Sequence, residues 1–446
     1  MKDTWKPDWI RAVRQPAFIT GNDDDSTPFV QFGTDGYLWG NIPALDILSL
    51  KDNEGEAEII KQDIALLFAA SGDLRNIVKT ISGLPETYKA ECSVVINDKQ
   101  PIIVVRNIIM LLVALNFDIK VAVPMMIHVW YSAALPRSMV DALQSKILVL
   151  IEDVCNKIKN KPNGSLQAKT FVSKRSKLRV VLKKEEWLEL AKHLTVPETL
   201  TLRESQEIRR RITLAPERID YRDRAMLSWS GALREVDNHF RSEGILLPYG
   251  CSVDAFDTPN PYVKIQNASR IRSLPISSTM FQDKNWPMLD NSCPRNGWRY
   301  DEYMKHATVA GKDEHGAIFF YVRDLLTKFC TRVQNLKISF IMFSTNAQEL
   351  GSYLPDTKFD RIEVRPPYFS PPHATLSHLD YLPRSPTSAT AATSALTHAS
   401  PSSRPSSSYT QQAHMPPLSS YSSTRQLKST TYPKVPLRGS LMSSAP

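Results

Sequence analysis

"LLFAASGDLRNIV", residues 66–78, is the stretch on which the reading of the fold turns. An apolar run ends, a single glycine allows a tight turn, and apolar residues at helical spacing follow. That is the strand, turn and helix unit at which open α/β sheets hold their ligands. Around it, "DIALLFAA" (63–70) predicts a buried strand, "LRNIVKTI" (74–81) a helix, "CSVVIND" (92–98) a β-branched second strand, and "PIIVVRNIIMLLVAL" (101–115) a helix opened by Pro101. Strands alternating with helices need crossover connections, so they pair in parallel beneath covering helices.

From about residue 118 to 335 helical spacing dominates, as in "PRSMVDALQSKILVLIEDVCNKIKN" and "GAIFFYVRDLLTKFCTRVQNL". "KISFIMFS" (337–344) and "FDRIEV" (359–364) then return to strand. The expected fold is therefore α/β: a Rossmann-like, methyltransferase-like parallel sheet interrupted by a large helical insertion, with a disordered C-terminal tail. Its parts are an N-terminal extension (1–27), a Rossmann-like half (28–117), a mainly helical insertion (118–335), returning strands (336–368) and a Ser/Thr/Pro-rich tail (369–446). The tail, with "SPTSATAATSALTHASPSSRPSSSYT" at 385–410, has too few large apolar side chains to offset the entropy of ordering it.

Composition narrows the function classes. The first residues lack the apolar run of a signal peptide, and the longest apolar stretch (101–117) is short for a bilayer and contains Arg106 and Asn107, so no membrane association is expected. Five cysteines without C-x-x-C spacing suit a reducing compartment, the cytoplasm or the nucleus, and predict neither a zinc knuckle nor a redox pair. The closest histidines, His373 and His378, sit in a Pro-rich segment and read as loop residues, so no metal is expected. Of the +9 net charge, five units lie after residue 384, leaving +4 on the 384 residues before. That balance argues against a nucleic-acid footprint. Two basic clusters, "KTFVSKRSKLRVVLKK" (169–184) and "RESQEIRRRITLAPERIDYRDR" (203–224), read respectively as a one-sided cluster open to a localisation or RNA-contact role and a solvated, salt-bridged helical face.

A dinucleotide or S-adenosylmethionine site needs glycines where the first strand ends, so that backbone and ligand can meet, and an acid after the second strand for the ribose hydroxyls. Asp98 supplies the acid. On the methyltransferase pattern acid-x-Gly-x-Gly-x-Gly, however, the turn offers Phe68, Ala70, Gly72 and Leu74, and only Gly72 fits. "FDRIEVRPPYF" (359–369) imitates the Pro-Pro-Tyr loop of amino-group methyltransferases but places Arg365, a pure donor, where an amine acceptor is required. A bound cofactor would meet Ala70, Gly72, Asp73 and Asp98; no catalytic residue is assigned.

"YLWGNIPALDILSL" (37–50), "DIALLFAASGDLRNIVKTI" (63–81) and "VVINDKQPIIVVRNIIMLL" (94–112) resemble the fungal domain of unknown function 4470 over roughly residues 28–117. The matched positions are Gly72, Asp73, Leu74, Arg75 and Asn76 in the turn, with Asp98, Arg106 and Asn107 after the second strand. "DYRDRAMLSWSGALREVDNHFRSEGILLPYG", "MFQDKNWPMLDNSCPRNGWRYDEY" and "KFDRIEV" extend the likeness to about residue 364. The resemblance implies a methyltransferase-like fold without established activity, in a family some of whose members add a MYND zinc finger and which includes a dynein axonemal assembly factor. Ala70 and Ser71 depart from its more glycine-like turn, and the family's sequence stops being recognisable after Val364. Each matched residue also has a structural reading: Asp73 capping the helix at Leu74, Arg75 pairing with Asp98, and Asn76 bonding a neighbouring loop. The expectation is a non-catalytic interaction or assembly module that binds a protein partner through its helical insertion. The alternatives are a divergent S-adenosylmethionine-dependent methyltransferase, then a nucleic-acid adaptor working through the tail and the 169–184 cluster.

Overall fold

Apolar side chains alternating along short β-branched runs build the centre of the molecule. In the computed structural model, which describes residues 6–19, 32–33, 38–196, 200–261, 286–307, 311–354 and 357–364, the strands are β1 (Ile64–Phe68), β2 (Glu91–Asn97), β3 (Ala134–Leu135), β4 (Leu166–Ser173), β5 (Ser176–Lys183), β6 (Thr258–Pro259), β7 (Lys337–Phe343) and β8 (Arg361–Glu363). Six of them form one sheet in the order β4-β5-β7-β2-β1-β8. Every neighbouring pair is parallel except the β4–β5 hairpin, with Leu66 opposite Val94 and Val94 opposite Phe340 in the central register. β3 and β6 make a separate two-stranded ladder. The tail (369–446), Arg365 and the Pro-Pro-Tyr motif lie outside the described residues.

The main helices are α1 (Arg75–Gly83), α2 (Pro101–Asn116), α3 (Ile119–Tyr131), α4 (Val149–Ile158), α5 (Lys184–Lys192), α6 (Leu202–Thr213), α7 (Gly231–Glu243) and α8 (Glu314–Asn335). Pro101 occupies the first turn of α2, where its missing N–H costs nothing and its fixed φ suits the helix. α2 runs through the interior, with Ile103 to Leu115 buried throughout, Arg106 and Asn107 being its two buried polar residues. No described helix is long and apolar enough to cross a membrane.

The sheet's two faces are covered unequally. Leu66, Phe68, Val94, Ile96, Leu178, Val180, Phe340 and Met342 point into the large core shared with α1, α2, α3 and α8. Each such side chain, fully buried, contributes roughly 1.5–3 kcal/mol. On the opposite face, Ala69, Val95 and Phe343 pack against Leu350, Tyr353 and Phe359 from the β7–β8 connection. That connection holds only the 3-10 turn Leu350–Tyr353, so the helical cover expected of a parallel sheet is, among the described residues, heavy on one face and thin on the other.

The insertion, expected to be mainly helical, also supplies strands. The 169–184 cluster is most of the β4–β5 hairpin, and β5 pairs with β7 to extend the sheet. Along β5, Leu178, Val180 and Leu182 face inward while Lys177, Arg179 and Lys183 face out, so the positive charges are the solvent half of an amphipathic strand. The second cluster departs from a wholly solvated face. Arg211 does pair with Glu207 (2.7 Å), but Arg209 and Arg218 are buried. Arg218 Nε meets Asp290 at 2.8 Å, and Arg209 donates to the carbonyls of Phe240 and Arg241, the last turn of α7. Gly244 closes that helix at φ 74°, where a side chain would also strike Arg209. These parts belong to one compact unit, Met1–Phe369.

Candidate functional site

The turn after β1 lies at the carboxyl ends of the parallel strands, beside β2 and β8. The chain leaves β1 with Ala69 N–H donating to the Glu363 carbonyl (2.9 Å) and Ser71 N–H to the Asn97 carbonyl (2.9 Å). Gly72 then takes φ 57°, a left-handed conformation that glycine adopts without a Cβ clash.

Asp98, at the end of β2, reaches across to this glycine. One carboxylate oxygen accepts from Gly72 N–H at 2.8 Å and the other from Gln100 N–H at 2.8 Å. The Gly72 carbonyl accepts from Asn107 Nδ2 at 2.7 Å. Asp98 is 8 % exposed, and burial raises its pKa against the opposing pull of those two backbone N–H groups. The oxygens that a ribose would need are thus engaged by the chain's own backbone. No Arg75–Asp98 ion pair forms, because Arg75 has turned the other way.

Arg75 is fully buried against Asp73, its Nε lying 2.7 Å and 2.8 Å from the two carboxylate oxygens. Its Nη1 donates to the carbonyls of Ile42 and Gly297, the latter at 3.0 Å. Asp73 also accepts from Gly40 N–H at 2.9 Å. Asp73 further accepts from the Arg75 backbone N–H at 3.4 Å, the expected contact with the start of the helix, although the N-cap position of α1 is Leu74. Asn76 does bond neighbouring segments, accepting from Leu45 N–H (3.0 Å) and donating to the Glu363 carboxylate on β8 (3.2 Å). Further along α1, Thr80 accepts from Ile47 N–H (3.1 Å), and Lys79 meets Glu302 at 2.8 Å. The polar face of the turn and of α1 therefore clamps three segments: the strap 38–48, the loop 297–302 and β8.

The four residues expected to meet a cofactor are split by this arrangement. Gly72 and Asp98 are in direct contact, Ala70 and Gly72 are half-buried at the rim, and Asp73 points into the strap. Phe68 and Leu74, standing where a cofactor pattern has its acid and its third glycine, are fully buried in the core.

Behind the clamp lies Arg106, 1 % exposed. None of its three guanidinium nitrogens has a hydrogen-bond partner among the described residues, and the same holds for Arg75 Nη2, Asn107 Oδ1 and the indole nitrogens of Trp39 and Trp130. Trp130 stacks on Tyr131 at 5.1 Å, Trp39 lies 5.7 Å from the same ring, and Trp298 donates to the Tyr131 hydroxyl at 3.1 Å. Burial pushes the Arg106 guanidinium down to about 10, although the Asp73 carboxylate pulls it the other way.

The comparisons with known proteins bear on this stretch. Residues 38–135 match the model of a family described as a domain of unknown function (DUF4470). The chain carries a DUF4470 domain. No curated protein and no solved structure matches. The DUF4470 match begins at Leu38, so it takes in the strap together with the turn that clamps it, and it runs through α3 and β3, beyond the expected limit near residue 117. α3 belongs with that unit because it buries Ala122 to Tyr131 in the same core as α2.

A second polar constellation, Asp237, Cys293 and His315, is buried outside the DUF4470 domain. Its members are 56 and 22 residues apart in sequence, so no spacing rule brings them together; only the packing of α7 against α8 does.

Proposed function

We propose that the chain is a non-catalytic interaction or assembly module of the cytoplasm, built on a Rossmann-like, methyltransferase-like sheet, whose partner is a protein bound through the insertion. The strand order supports the sheet's ancestry. With the inserted β4–β5 hairpin set aside, the parallel strands β7-β2-β1-β8 stand as third, second, first and fourth in chain order, the arrangement that places a ligand crevice outside the first strand.

The single observation that carries the non-catalytic reading is that this crevice is spanned by the protein's own bonds. Asp98 is engaged with Gly72 and Gln100, and Asn76 bridges to Glu363 across β1 and β8. A cofactor would have to displace buried hydrogen bonds worth roughly 1–3 kcal/mol each when left unmade.

One observation favours the alternative of a divergent S-adenosylmethionine-dependent methyltransferase: Ala70 and Gly72 remain half-exposed at the rim. Isothermal titration of S-adenosylmethionine and S-adenosylhomocysteine into the full chain separates the two readings, with Asp98→Ala alongside. The module reading predicts no saturable heat from folded protein. Saturable binding that Asp98→Ala removes would establish the enzyme reading instead.

A further inference from the structure

The buried constellation in the insertion has the chemistry of a metal centre. Asp237 comes from the middle of α7, Cys293 precedes the 3-10 turn Pro294–Gly297, and His315 lies in the first turn of α8. Cys293 Sγ is 4.0 Å from Asp237 Oδ1 and 4.0 Å from His315 Nε2, and all three ligand atoms lie within 4.8 Å of one another. In a tetrahedral zinc site, metal bonds of about 2.0–2.3 Å put ligand atoms about 3.5 Å apart, so an ion needs only a slight contraction of this triangle.

The surrounding groups orient each ligand atom toward the centre. His315 Nδ1 lies 3.1 Å from the Val236 carbonyl; donating its proton there leaves Nε2 with its lone pair facing Cys293. Arg241 Nε holds Asp237 Oδ2 at 2.6 Å, while Oδ1 faces the cysteine at 4.0 Å and Arg295 Nη2 at 3.8 Å. Arg295 Nε lies 3.3 Å from Cys293 Sγ, a contact that opposes the burial pushing this thiol's pKa up. Arg295 is itself balanced by Glu314 at 3.1 Å, which also accepts from the Tyr303 hydroxyl at 3.1 Å.

We propose that Asp237 Oδ1, Cys293 Sγ and His315 Nε2 bind one divalent zinc ion, tying α7, the 293–297 turn and α8 together with a fourth coordination position left to solvent or ligand. Mixed sulfur, nitrogen and oxygen donors suit zinc better than the oxygen-seeking magnesium or calcium ions. The site uses none of the residues of the β1 turn, so it stands or falls separately from the module reading.

The test uses the purified full chain. Zinc content is measured by inductively coupled plasma mass spectrometry, and cobalt(II) is then titrated into chelator-stripped protein. The expected results are one metal per chain and a sulfur-to-cobalt charge-transfer band. Cys293→Ser abolishes the band and His315→Gln releases the metal, while Cys251→Ser, at an exposed cysteine, changes neither. Folded wild-type protein that takes up neither metal overturns the proposal, as does metal retained in both Cys293→Ser and His315→Gln. Should circular dichroism show those variants unfolded, the wild-type cobalt spectrum decides: a thiolate band at one equivalent supports the site, and its absence sinks it.

Discussion

Arg106 brings a guanidinium into a space that already holds the Asp73–Arg75 pair, so two positive charges share one carboxylate. A buried charge without hydrogen-bond partners is held at a cost that the surrounding packing must offset. Replacing it with a shape-matched apolar residue should therefore raise stability: Arg106→Met is expected to unfold about 1 kcal/mol or more above wild type in urea. A large loss would mean that Arg106 serves a partner essential to the fold. At this scale, the sequence marked Asp73, Arg75, Asn76, Asp98, Arg106 and Asn107 as a set. It did not assign their bonds, because Arg75 can pair with either neighbouring acid and only the position of the strap selects Asp73. The Asp237, Cys293 and His315 cluster was illegible for a related reason: it is produced by helix packing and not by spacing.

α3 shows how burial sets an element's chemistry. His128 lies in its last turn, where a charged imidazole would ordinarily be welcome at the helix dipole's negative end. Here it packs against the rings of Phe256 and Phe319, with Nδ1 3.0 Å from Ser132 Oγ, and burial lowers its pKa to about 4. The unfolded chain takes up this proton near pH 6.5 while the folded chain resists, so stability is complete above pH 6.5 and declines as pH falls toward 4. The shift corresponds to about 3 kcal/mol. Chemical denaturation across that window should show the decline, and His128→Gln should remove a large part of it; an unchanged slope would place the acid sensitivity elsewhere. The regular elements were largely readable from period alone: β1, β2, β7, α2 and α8 fall where apolar alternation or helical spacing put them. The β4–β5 hairpin was not. Its outward lysines and arginines read as a basic cluster, and the inward Leu178, Val180 and Leu182 declare a strand only once β7 is there to pair with them.

Across the whole molecule, the DUF4470 domain, the insertion and the returning strands share one sheet and one core. The clamp at the β1 turn is where their segments meet: Asp73 and Arg75 hold the strap and the 297 loop, while Asn76 holds β8. β4 and β5 from the insertion extend the sheet beyond β7, and β8 extends it beyond β1. The parallel order was readable in outline, but the thin cover on one face was not, since it depends on the β7–β8 connection forming a 3-10 turn in place of a helix. The central claim is that the Gly-Asp-Leu-Arg-Asn turn is a structural clamp, and the most direct test is the unfolding free energy of Asp73→Ala. Removing this carboxylate strips Arg75 of its partner and leaves two guanidinium groups buried together, so the account predicts a loss of about 3–5 kcal/mol. A loss below about 0.5 kcal/mol, the level of an ordinary surface substitution, would contradict it.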